Sequence, residues 1–238
     1  MSPLRKTALV AGVLYLLTFV SIPILGLYAT VLDPESVVDA GAVTGVAWGG
    51  VLEMVVALAC IGTAVVLYPV VKRQNETLAL GFVGIRVLEA ATIIAGIVVI
   101  MSLVTVRQAE PSPEVTATGE ALIALHDWTF LTGQGFLPAV NAVLLGTLLY
   151  RSRLVPRALP VLGFIGAPLL TTTFVATVFG FWTQVSLASA LLTMPIALWE
   201  LSLGIWLIVK GFRPSPVTAD LPASRVPSQE SSIRTNTA

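Results

Sequence analysis

The chain has 238 residues, 56% of them hydrophobic and only 11% charged, with a mean hydropathy of +0.92 and a formal net charge of zero. Soluble domains carry roughly 25% charged residues, so this chain has far too few to coat a water-facing surface. No basic stripe with interleaved aromatics is present to grip nucleic acid, and no nucleic-acid partner is expected.

Six apolar runs follow one another, and the predicted spans are about 7–31, 46–71, 78–105, 119–149, 158–180 and 186–210. An apolar run of about 18 residues or more reads as a membrane-crossing helix. In lipid only helices and closed barrels satisfy the backbone, and these runs are too long for barrel strands. The expected fold class is therefore all-α, an integral membrane bundle of six transmembrane helices with the lipid bilayer as its first partner.

The first run follows Arg5 and Lys6, as a signal peptide would. Its apolar core is about twice the usual length and lacks an evident small-residue cleavage site, so it reads as a retained helix. The "DPES" stretch at 33–36 offers an Asp N-cap and a Pro at the first helical position, the pattern of a short external helix. The second run carries Glu53, followed on the same face by Ala57, Cys60 and Ala64. Small residues allow close helix approach, so this face is expected to pack inside the bundle, or Glu53 to reach the interface. Cys60 is the only cysteine and His126 the only histidine. That excludes an intrachain disulfide and any familiar zinc, haem or redox-pair motif, so no cofactor or metal is expected.

The third run contains "GIRVLEA", with Arg86 and Glu89 three residues apart on one helix face. The "AEPSPE" segment at 109–114 reads as a proline-stiffened loop. In the fourth run Asp127, Gln134 and Asn141 fall on one helical stripe, together with Leu131 and Pro138. Pro138 cannot donate to the carbonyl of Gln134, and Gly133 and Gly135 loosen the same turn, so a kinked or broken helix is expected. His126 reads as a solvated interfacial residue. The sixth run carries Glu200. Beyond it, residues 213–238 are rich in Pro, Ser and Thr and read as a disordered tail, leaving 1–212 as the six-helix domain.

Lys and Arg set the expected orientation. Arg5, Lys6, Lys72, Arg73, Arg151, Arg153, Arg157, Lys210, Arg213, Arg225 and Arg234 fall on one side. The other side has Arg107 with Asp33, Glu35, Asp39, Glu110 and Glu114. An even number of spans places both termini together, and the positive-inside rule makes that side cytoplasmic, in the cell (plasma) membrane.

Three stretches resemble one known family: "GFVGIRVLEA" (81–90), "LLYRSRLVPRALPVLGFIGA" (148–167) and "PIALWELSLGIWLIVKGF" (195–212). Together they are similar to the bacterial membrane family DUF4386, a domain of unknown function, over nearly all of residues 5 to 212. The resemblance implies an integral membrane protein with several helices and brings no assigned activity.

At about 1.5 Å per helical residue, Arg86 lies about 12 Å, Asn141 about 13 Å, Glu200 about 15 Å and Glu89 about 16 Å from the basic ends of their helices. A hydrocarbon core is about 30 Å thick, so these groups share a layer near its middle. Gln134 and Glu53 sit higher, at about 24 and 27 Å. A lone charge at a helix centre costs roughly 2.5–3.5 kcal/mol on insertion scales, so the charges are expected to face inward and pair. Two carboxylates against one guanidinium leave an excess negative charge, for a proton or a cationic ligand to balance.

The residues expected to bind a ligand or relay a proton are Arg86, Glu89, Glu200, Asn141, Gln134, Glu53 and Asp127, with no catalytic residue among them. Two readings stay open: a bundle that binds or transports a small molecule, cation or proton, and a structural or partner-binding subunit whose charges only staple helices. An enzyme is less favoured, because nucleophile–histidine pairs and the "GxSxG", Walker and "HExxH" patterns are absent. Nothing in the sequence sets an oligomeric state.

Overall fold

A computed structural model describes residues 1–33, 36, 39–110 and 112–219. Among them are eight α-helices: α1 (Pro3–Leu17), α2 (Ser21–Leu32), α3 (Ala40–Val71), α4 (Glu76–Arg107), α5 (Pro113–Gly133), α6 (Leu137–Ser152), α7 (Ala158–Val178) and α8 (Leu187–Val209). A short 3-10 turn, Thr18–Val20, joins α1 to α2. The helices make six stretches long and apolar enough to cross a membrane: Pro3–Leu32, Ala40–Val71, Glu76–Arg107, Pro113–Ser152, Ala158–Val178 and Leu187–Val209. Each contains the centre of one expected span.

Local chemistry places the helix starts. Ser2, Asp39, Asn75, Ser112 and Ser186 each accept a hydrogen bond from the backbone N–H three residues on. Each thereby satisfies one of the donors that a helix start leaves orphaned. The interruptions have equally local causes. Pro23 deprives the carbonyl of Phe19 of its donor, and the Thr18 hydroxyl bonds the carbonyl of Tyr15 at 2.7 Å. The first span, expected as one continuous helix, is therefore two helices with a tightened turn between them. The fourth span breaks outright after Gly133. There the N–H groups of Gln134 and Gly135 both close on the carbonyl of Phe130, at 2.9 and 3.1 Å, and α6 starts again with Pro138 in its first turn.

Six of the helices close a ring: α1 packs on α3, α3 on α4, α4 on α6, α6 on α7, α7 on α8, and α8 returns to α1. Helices α2 and α5 continue their spans by packing on α3 and α4 respectively. The largest apolar core, including Tyr15, Leu67, Phe82, Leu145, Leu149, Trp199 and Leu203, fills the end of the ring that holds the N-terminus. Outward-facing side chains such as Ile22, Leu58, Val98 and Ile205 are apolar, as a lipid-facing surface requires. The α1–α8 crossing is close enough that a Cβ on Gly12 would lie 2.7 Å from the carbonyl oxygen of Gly204.

The N-terminal end of the bundle is tied by polar bonds. Arg5 donates to the carbonyl of Leu207 at 2.9 Å and to that of Ile208, so it caps the last turn of α8 with a positive charge. Past α8, the N–H of Arg213 donates to the carbonyl of Leu154 at 2.8 Å, and the Ser215 hydroxyl donates to that of Ser152. Ser215 and Thr218 are buried. Packing therefore continues past α8 to Thr218. Residues 220–238, which hold most of the expected tail, lie outside the described residues, as do four residues of the 33–38 connection that bear on the expected short helix.

Candidate functional site

The central cluster is assembled from five helices. On α4, Arg86 and Glu89 lie one helical turn apart, and Arg86 Nη1 donates to Glu89 Oε2 at 3.1 Å. Arg86 Nη2 reaches across the ring to Glu200 Oε1 on α8 at 3.2 Å. From α6, Asn141 Nδ2 donates to the same Glu89 oxygen at 2.7 Å. Cys60 Sγ on α3 lies 3.5 Å from Nη1. The ring of Tyr15 on α1 sits 5.1 Å from the guanidinium carbon, a cation–π distance. Arg86 is 1% exposed and Glu89 is 5% exposed, whereas the Glu200 side chain, at 16%, is the most open of the three.

The four residues inferred to share a layer, Arg86, Glu89, Asn141 and Glu200, are thus brought together. Their pairing meets the cost of burying charge by supplying opposite charge and directed hydrogen bonds. Satisfaction is incomplete, because Arg86 Nε and Asn141 Oδ1 are buried without a hydrogen-bond partner.

Against this cluster lies a cavity of about 210 Å³. All six spans line it, through Thr18, Val56, Ile93, Gln134, Leu170 and Thr193 among others, and Arg86, Glu89 and Glu200 form its charged floor. The walls are mainly aliphatic.

A second polar cluster occupies the other half of the bundle. Glu53 on α3 is 6% exposed. It accepts from the Tyr28 hydroxyl at 2.9 Å and from Gln134 Nε2 at 3.3 Å, both neutral donors. His126 is not the solvated interfacial residue expected but is buried. The α2 packing against α3 and the α5 packing against α4 enclose it: its ring is edge-on to Tyr28 at 6.0 Å and stacked on Phe130 at 6.2 Å. Its Nδ1 has no hydrogen-bond partner; Asp127 Oδ1, at 3.6 Å, is too far to serve. Glu53, His126 and Gln134 share a void of about 10 Å³, close to the smallest volume that holds a water molecule. Gln134 also lines the central cavity and so stands between the two.

The polar stripe expected on the fourth span is divided by the break in that span. Asn141 turns to Glu89, Gln134 turns to Glu53, and Asp127 joins neither. The Asp127 side chain is 66% exposed and borders a separate groove of about 610 Å³ between α5 and the α7–α8 connection. Tyr15 and Tyr28 went unforeseen, because an aromatic in an apolar run reads as packing until its charged neighbour is known. Among the described residues, no three His, Cys, Asp or Glu side chains are grouped to hold a metal ion.

A family model described as "Domain of unknown function (DUF4386)" matches residues 10–211, a stretch that includes every residue of both clusters. No curated protein and no solved structure matches the chain.

Proposed function

The chain belongs to the DUF4386 family, and on that premise we propose that it is a multi-pass protein of the cell membrane that binds, and in a transport cycle carries, a small molecule or proton at the Arg86–Glu89–Glu200 cluster. The observation that carries this reading is the cavity that reaches Glu200. A staple between α4 and α8 needs one acid for one guanidinium and no space beside them. Here a second acid and a void accompany the pair. In this reading Glu89, held by Arg86 and Asn141, is the fixed carboxylate and Glu200 the one that meets the ligand. Glu53 and Gln134 form a second polar station, and Asp127 stands at the water-facing groove beyond it.

Cysteine accessibility tests the pocket. In a Cys60→Ser background, Thr193→Cys is expected to react with a small water-soluble methanethiosulfonate while the protein is folded. Absence of reaction in folded protein, with full reaction after unfolding in SDS, makes the core dry. The charges are then a helix staple and the chain a structural or partner-binding subunit, the reading that both Arg86 ion pairs favour.

The proposed orientation puts both termini in the cytoplasm, from the excess of Lys and Arg at that end of the bundle. In intact cells Asp39→Cys is expected to label with an impermeant maleimide, and Lys72→Cys only after permeabilisation. Labelling of both positions from outside overturns this topology.

A further inference from the structure

Resting on the pocket reading above, we propose that the ligand class is a small organic monocation: an ammonium group set against Glu200 with an apolar body of roughly eight non-hydrogen atoms. The charge of the floor is the first reason. Among the described residues lining the cavity, the charged groups are Arg86, Glu89 and Glu200. The Arg86 guanidinium already faces two carboxylates, with Nη1 on Glu89 and Nη2 on Glu200. An anion there would meet two carboxylates for one guanidinium. A cation can take the Glu200 oxygen that Arg86 does not hold: Glu200 gives one oxygen to Arg86, is the least buried member of the cluster, and belongs to a floor that, with both acids ionised, is one positive charge short of neutral.

Size and walls are the second reason. A dry cavity of about 150 Å³ lined by Leu, Ile and Phe accepts benzene, so about 210 Å³ accommodates a ring with a short chain. Val56, Ile93, Leu170 and Ile196 supply apolar walls for that body. Ile22 also borders the cavity and is 64% exposed on the exterior of the bundle. The same ammonium chemistry can therefore come from a soluble amine or from a lipid headgroup.

The test uses three probes of matched shape and different charge, 2-phenylethylammonium, 2-phenylethanol and phenylacetate. They are applied to the full chain in maltoside micelles free of added lipid. Binding is read as protection of Thr193→Cys and as a rise in thermal midpoint. The ammonium is expected to bind at least about tenfold more tightly than the alcohol, a difference of about 1.4 kcal/mol, and phenylacetate not to bind. In Glu200→Gln the advantage of the ammonium over the alcohol disappears while the alcohol still binds; in Glu200→Asp the advantage remains. Phosphatidylethanolamine that displaces the ammonium assigns the cation to a lipid headgroup, and an undisturbed ammonium assigns it to a soluble amine; both uphold the class. Phenylacetate binding as tightly as the ammonium overturns the proposal, as does an ammonium preference that survives Glu200→Gln. Failure of all three probes to protect a Thr193→Cys that does react also overturns it and leaves the pocket standing, whereas a Thr193→Cys that never reacts removes the pocket itself.

Discussion

Arg86→Leu is expected to destabilise the protein by about 3–5 kcal/mol, the range for breaking a buried pair from one side. The guanidinium is 1% exposed and is the positive partner of both Glu89 and Glu200. Removing it strands two carboxylates in a medium that screens charge poorly and leaves the Tyr15 ring facing a void. Glu200→Gln alone is expected to be mild, because Arg86 keeps Glu89 and the amide oxygen of Gln still accepts. The double variant should therefore lose less than the sum of its parts, with a coupling energy of about 0.5–3 kcal/mol. A double-mutant cycle on unfolding in detergent reads this term directly. Strictly additive losses mean that the 3.2 Å contact between Arg86 and Glu200 has no energetic content.

Gly12→Val is the second large effect expected, a loss at the upper end of the roughly 1–3 kcal/mol typical of overpacking or beyond it. A Cβ there meets the Gly204 carbonyl oxygen at 2.7 Å and the Ile208 backbone nitrogen at 3.0 Å, and neither can rotate aside. The helices must separate, and α1 carries Tyr15 away from Arg86 as it moves. Gly204→Ala should cost less, since the nearest atom to its Cβ is the flexible Leu16 Cδ2 at 2.9 Å. Gly84→Ala should be neutral or slightly stabilising, because nothing lies within 4 Å and alanine is the better helix former. Thermal midpoints in one detergent should fall in the order Gly84→Ala, Gly204→Ala, Gly12→Val; a Gly12→Val midpoint equal to that of the parent removes the close crossing.

The spans were legible because lipid dictates both their length and their composition. Arg86 and Glu89 were legible as a pair from their spacing, and Asn141 and Glu200 as their neighbours from depth alone. What depth cannot supply is azimuth. In these helices nearly every face is apolar, so periodicity does not tell which side looks inward. The burial of His126 and the exposure of Asp127 were hidden for that reason, whereas Glu53 and Gln134 matched in depth. The interruption at Thr18–Val20 had a readable cause in Thr18 and Pro23, obscured by the unbroken hydrophobicity around it. The Tyr15 ring beneath Arg86 had no such signal, because it depends on how α1 and α4 meet across the ring.

The closure of that ring has a consequence for biogenesis. The chain leaves the ribosome N-terminus first, and α1 has to wait for α8, almost two hundred residues later, before its second flank is covered. Arg86 does not wait: Glu89 follows it within one turn and can neutralise it as soon as α4 enters the bilayer. Glu200 arrives with the last helix, so the second acid enters an assembly that is otherwise complete. A nascent chain arrested before Leu187 therefore holds a paired Arg86–Glu89 and an unclosed ring, and translation of the final helix both seals the bundle and brings a second acid to its centre.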